Sequence, residues 1–257
     1  MSAPDSLTTR MPNGVTNAAN YQTMGAAGIP DPTWAHVYSN DFDTYAAGDW
    51  TVTKVGTGTV ALTAADGGSL LVTTTTGAAD AVYSQLTAAS FKLQSGKDTF
   101  FKFAGILADV VNEVFYTGLI ATSSTPLAAA DGVWISKASG SQTLTLNIVV
   151  GGVATTAAFP ASNLLVAGAF FEVGFHVDYL GNVEGFFNPG TGADWQQLGP
   201  TSSNSTLTAR GRQVFVPNNS ITNGLTAVTL NPSFGILNTS AAAHTLNVDY
   251  ITAVRNR

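Results

Sequence analysis

Apolar and polar positions alternate along much of this chain with a period of two. Leu144, Leu146 and Ile148 share one side of a run whose other side carries Thr145 and Asn147. Gly151-Gly152 then turns the chain into Val153, Thr155, Ala157 and Phe159, which predicts a hairpin. A second hairpin has Phe171, Val173, Phe175 and Val177 alternating with Glu172, Gly174, His176 and Asp178. Gly181-Asn182 is its expected turn, Val183 to Phe187 its return and Asn188-Pro189-Gly190 its end. Shorter runs begin at Trp50 and Val52, at Val60 and Leu62 after Gly56 and Gly58, and at Leu70, Val72 and Thr74 after the turn signal Asp66-Gly67-Gly68. Near the end, Phe234 to Leu237 and then Leu246, Val248 and Tyr250 predict two more strands, for about a dozen in all. One helix candidate exists at residues 107–114, where Leu107, Val110, Val111 and Val114 recur at i, i+3, i+4 and i+7; a loop fits the segment equally. Strands spaced by turn signals, with no long helix and no fixed-period repeat, predict an all-β sandwich or barrel.

Composition narrows the function. The 257 residues are 45% hydrophobic, enough for a large core, and only 10% charged, against about a quarter in ordinary domains. Fourteen phenylalanines exclude the composition of a disordered chain. A net charge of −6, with no basic cluster beyond Arg210 and Arg212, argues against a nucleic-acid partner. With no cysteine, disulfides and thiolate zinc sites are excluded. The richest apolar stretch, residues 100–121, is interrupted by Lys102, Asp109 and Glu113, so no membrane partner is expected. Residues 1–10 hold no apolar signal core, which suits a protein assembled without a secretory step. Residues 1–33, with Pro4, Pro12, Asn13-Gly14, Pro30 and Pro32, show little period and read as an extended N-terminal arm or a disordered leader; the sandwich domain is expected over 34–257.

Two segments carry a resemblance. Asp41-Phe42-Asp43 with Ala47-Gly48-Asp49-Trp50-Thr51-Val52, and Leu246-Asn247-Val248-Asp249-Tyr250-Ile251, resemble the opening and closing strands of concanavalin/laminin-G-like jelly rolls. That superfamily includes laminarinase-type glycoside hydrolases, whose catalytic strand reads Glu-x-Asp-x-x-Glu. The glutamates here are Glu113, Glu172 and Glu184, none with a carboxylate two residues away, so that strand is not shared. The short Ala/Thr/Gly/Ser-rich strands, the missing cysteine and the Pro/Gly-rich arm also resemble virion proteins of tailed bacteriophages, some of whose capsid decoration (cement) proteins carry such folds.

Each candidate for chemistry has a plainer alternative. Glu172 and Glu184, with Asp178, would face each other across the second hairpin as a glycosidase pair needs, but the solvated face of two strands is the expected role. No Gly-x-Ser-x-Gly elbow occurs, and His36, His176 and His244 stand far apart, so no triad is expected; His176 is the candidate base. Gly56-x-Gly58 lacks the rest of a nucleotide fingerprint. The jelly-roll resemblance implies a possible calcium site at Asp41, Asp43 and Asp249, set against turn-capping aspartates. Trp34, Trp50, Trp134 and Trp195, the last in Asp194-Trp195-Gln196-Gln197, are candidates for stacking on sugars, against core positions. Asn204, Asn218 and Asn238 head glycosylation sequons, and the Ser/Thr/Asn-rich loop at 190–213 is long enough to be functional or mobile.

The expectation is therefore a non-enzymatic virion structural protein on the outer capsid surface. Its partners would be the major capsid protein and itself, as a homo-trimer, with no nucleic acid, membrane, cofactor, catalytic or metal residue assigned. A glycan-binding module of a tail fibre or cell surface is the alternative, and a hydrolase without the usual signature the third.

Overall fold

A computed structural model describes residues 35–64, 67–159, 164–189, 225 and 227–257, and the backbone of 196–197, 205–207 and 213–215. The expected arm at 1–33, Trp34, Trp195, Asn204, Asn218 and most of the 190–213 loop lie outside these residues.

Among the described residues there are seventeen strands, more than the dozen expected, because several are two to four residues long. They are β1 Ala35–Asn40, β2 Trp50–Val55, β3 Thr59–Leu62, β4 Leu70–Thr73, β5 Ala81–Leu86 and β6 Thr99–Leu107. Next come β7 Glu113–Ala121, β8 Gly132–Lys137, β9 Leu144–Val150, β10 Val153–Ala158, β11 Phe170–Val177 and β12 Val183–Asn188. The last are β13 Gln196–Gln197, β14 Ser205–Leu207, β15 Gln213–Phe215, β16 Leu230–Asn238 and β17 Thr245–Asn256. One sheet runs β10-β9-β8-β7-β16-β5-β2. The larger runs β14-β15-β12-β11-β6-β17-β4-β3, with β1 also on β17 and β13 on β12. Every pairing is antiparallel, giving the all-β sandwich that the alternation predicts.

The core is largely aromatic. Phe42, Trp50, Phe103, Phe115, Phe171 and Phe234 touch one another between the sheets, with ring centroids 5.1–6.2 Å apart. Burying each such side chain stabilises the fold by about 1.5–3 kcal/mol. The first and last strands are joined here: β1 pairs with β17 along its whole length, from Ala35↔Asn256 to Asn40↔Ile251.

Two segments gain local detail. Residues 107–114 take the loop alternative and form no helix. Leu107 ends β6, Glu113 opens β7, and the Asp109 carboxylate between them accepts the N–H groups of Val111 (2.5 Å) and Asn112 (2.9 Å). A side chain that captures nearby backbone donors favours a turn over a helix. Tyr250 does not share a face with Leu246 and Val248. The β17–β6 register shifts between Val248 and Tyr250, a bulge at Asp249 that sends Val248 and Ile251 into the core and Tyr250 outward.

Candidate functional site

The outer face of the larger sheet gathers most of the singled-out charges. Lys102 of β6 and Glu172 of β11 form a 2.5 Å ion pair. The Tyr250 hydroxyl donates to Glu172 Oε1, and Asn188 Nδ2 donates to Oε2 at 3.0 Å. The Lys102 ammonium lies 5.0 Å from the Tyr250 ring centre, within cation–π range. Burial, then the Glu172 charge, pushes the Tyr250 phenol far above its ordinary range. Glu172 is thus held by three partners on three strands.

His176, four residues further along β11, sits between two carboxylates: Nε2 is 2.9 Å from Asp98 and Nδ1 3.4 Å from Glu184. Its ring stacks on Phe100 with centroids 4.3 Å apart and planes 2° from parallel. Burial would lower its pKa, but the hydrogen bonds and charges of Asp98 and Glu184 outweigh it and raise the value. The hydrogen bond to His176 in turn holds Asp98 below the usual carboxylate range.

The hairpin register corrects the expected glutamate pairing. Glu184 faces His176 and Glu172 faces Asn188, so the two glutamates are offset by four residues. At about 3.3 Å per residue that is roughly 13 Å. A glycosidase needs its carboxyls about 5–10 Å apart. Asp178 does not join them: it takes the N–H groups of Leu180 and Asn182 and the Asn182 side-chain amide, all at 2.8 Å, and so fixes the turn.

Asp41, Asp43 and Asp249 are the candidate calcium ligands, set against turn-capping aspartates. Burial, then the charges of Glu172 and Asp41, raises the pKa of Asp249. No three His, Asp or Glu side chains among the described residues form a metal-holding group. Two carboxylates are far short of the 6–8 oxygens that calcium takes, so these side chains alone do not fit the ion.

The smaller sheet has a different outer face. Tyr83, Tyr116 and Trp134 form a second apolar cluster there with Ile120, Val149 and Ala129, and Leu127 packs on it. Two glycines make the floor. A Cβ on Gly235 would stand 2.9 Å from both tyrosine rings, and one on Gly118 2.5 Å from Trp134. The 122–131 connection, with a single helical turn at Pro126–Ala128, brings Leu127 and Ala129 over the cluster. It is pinned by Ser123 N–H to Gln85 Oε1 (3.0 Å), Asn231 Nδ2 to Thr122 Oγ1 (3.0 Å) and Gly152 N–H to the Ala130 carbonyl (2.8 Å). Trp134 is 4% exposed and Trp50 5%, so both are packing residues. Among the described residues the buried Tyr116 hydroxyl has no hydrogen-bond partner.

Buried polar and charged groups also lie away from the two outer faces. Glu113 is fully buried, and burial raises its pKa to about 8 although Lys137 pulls the other way. Lys137 Nζ donates to the Glu113 carbonyl (2.5 Å) and the Ala138 carbonyl (3.1 Å). His36 packs against Phe91, and Asn238 of the third sequon is buried, donating to the carbonyls of Thr75 and Gly77. His244 lies beyond the other end of β6 from His176, between Ser240 and Asp109.

No family model and no curated sequence matches this chain. Its architecture is nevertheless shared. An endo-1,3-β-glucanase from Streptomyces sioyaensis superposes with a TM-score of 0.55 at 15% identity, over 88% of this chain and 98% of the enzyme. Lectin II from Ulex europaeus gives 0.56 at 9% identity, over 86% and 99%. A protein of unknown function from Shewanella oneidensis MR-1 gives 0.53 at 13% identity and covers 100% of this chain and 95% of its own. The fold is a concanavalin-like β-sandwich of the lectin and glucanase type. Identities this low establish the fold alone.

Proposed function

We propose that this chain is a structural protein of a tailed-phage virion, decorating the outer capsid surface and stabilising it through protein–protein contacts. The carrying observation is where its side chains are used. The charges on the larger sheet's outer face are tied to one another, and Trp50 and Trp134 are buried away from any sugar. The large side chains left outside are mostly aliphatic, including Val55, Leu62, Val153 and Val166 on edges and loops. Tyr179 (54% exposed) and Leu180 (63%) stand on the turn that Asp178 holds rigid, a pre-organised apolar knob suited to a socket on a capsid subunit. Contacts of about 800 Å² per partner, repeated over a shell, would resist internal pressure through multivalency. Residues 1–33 would lace onto a neighbouring subunit, with a trimer as the assembled unit and no nucleic-acid or membrane contact. The test is electron microscopy of the purified chain mixed with shells of its own phage that lack it: regular surface density supports the proposal, and bare shells overturn it.

A glycan-binding role is the second reading. The lectin fold favours it. It expects a rise in melting temperature with a matching polysaccharide, and a flat response to a broad panel would end it.

A further inference from the structure

Three side chains remote in sequence meet where the β16–β17 turn packs on the β6–β7 loop. Ser240 Oγ is 2.8 Å from His244 Nε2, and His244 Nδ1 is 3.5 Å from Asp109 Oδ2. That is the atom order of a nucleophile, a base and the carboxylate that orients it.

Each member is held from behind. Asp109 Oδ1 accepts the Val111 and Asn112 N–H groups, and Oδ2 accepts Asn112 Nδ2 at 3.0 Å. Burial opposes ionisation of Asp109, but these donors and His244 keep its pKa below the usual range. The His244 backbone is clamped to β4, its N–H donating to Thr74 Oγ1 and its carbonyl accepting the Thr74 N–H, both at 3.0 Å. The Ser240 N–H donates to Asn238 Oδ1 at 2.9 Å, while Asn238 Nδ2 donates to the Ala242 carbonyl at 2.5 Å and closes the turn. His244 is buried, Ser240 is half-exposed, and Ala241, Ala242 and Ala243 beside it are exposed. The Ala241 N–H makes no hydrogen bond among the described residues, which leaves a backbone donor directly after the hydroxyl.

We propose that Ser240, His244 and Asp109 form a serine acyl-transfer centre that hydrolyses small, uncharged acyl esters. With Nδ1–H directed at Asp109, Nε2 accepts the Ser240 proton as Oγ bonds to the acyl carbon. The ester C–O bond then breaks, and the imidazolium returns its proton to the departing alcohol. Water, deprotonated by the same nitrogen, attacks the acyl-serine, releasing the carboxylic acid and restoring the hydroxyl; ester plus water gives acid plus alcohol. Ala241, Ala242 and Ala243 beside Ser240 are exposed and carry only methyl groups, so they offer little to grip a long acyl chain. Asp109 and a net charge of −6 disfavour anionic esters. This centre is independent of the capsid role.

The test uses the full chain with p-nitrophenyl acetate and with a fluorophosphonate probe read by mass spectrometry. The expected result is one label per chain on Ser240 and hydrolysis about 10²-fold above Ser240→Ala. Asp109→Asn should slow it, and Ser139→Ala, whose hydroxyl pairs with Thr239, should leave it unchanged. Because the native chain has no cysteine, Ser240→Cys gives a unique thiol. Its alkylation by iodoacetamide should be about tenfold faster than that of Ser139→Cys if His244 draws off the proton. No label, hydrolysis equal to Ser240→Ala and equal alkylation rates would show that the hydroxyl only ties the turn, and would overturn the proposal.

Discussion

The two outer faces of this sandwich solve the same problem by opposite means. Both carry a tyrosine taken largely out of water. On the larger sheet the Tyr250 hydroxyl finds the Glu172 carboxylate, itself paired with Lys102 and Asn188. On the smaller sheet Tyr116 lies across a glycine floor beneath a loop, and its hydroxyl finds no partner among the described residues. One face meets its tyrosine with a directed charge contact, and the other meets its tyrosine by packing beneath a loop that hydrogen bonds hold in place. A polar atom on a jelly-roll face therefore says little until its partner is known. The carboxylates that suggest chemistry in sequence are, on the larger sheet, fasteners between strands.

Substitutions can break this contrast at several strengths. The largest effect is expected at Trp134→Ala, which empties the packed face; urea denaturation should show a loss of about 3–5 kcal/mol. Tyr250→Phe removes a donor to a charged acceptor and should cost about 1.5–3 kcal/mol. His176 gives a dependence on pH. Its folded pKa is raised, so its contribution is fully present below about pH 6.5 and is lost as pH rises through the higher folded value. His176→Gln should flatten the stability curve on that alkaline side, as followed by melting temperature across pH. The smallest effect is expected at Tyr116→Phe. Losing an unpartnered buried hydroxyl should change stability by about 0–1 kcal/mol, in the stabilising direction. If the two Tyr→Phe variants behave alike, the contrast between the faces is gone.

The fold was readable because period-two alternation is local: β9, β11 and β12 each carry their inward set in the sequence itself. The site was less so. The second hairpin was recognisable, but Val177 pairs with Val183, so its loop is residues 178–182 rather than Gly181-Asn182 alone. Loop length sets register, and register decided that Glu184 meets His176 and not Glu172. The bulge at Asp249 left no mark, since a polar residue fits an ordinary outward position as well. The His244 contacts depend on β17 pairing with β6, more than a hundred residues away, where Leu246 faces Leu107 and brings Asp109 alongside. The burial of Glu113 and Lys137 has no local sign in the sequence.

On the proposed capsid role, this sandwich would work by holding on to its neighbours in a shell. Heating filled heads with and without the bound chain, and following release of their nucleic acid, tests it most directly. The account predicts release at a clearly higher temperature for decorated heads, with the gain reduced by Tyr179→Ser together with Leu180→Ser. Identical release temperatures for decorated and bare heads would contradict it.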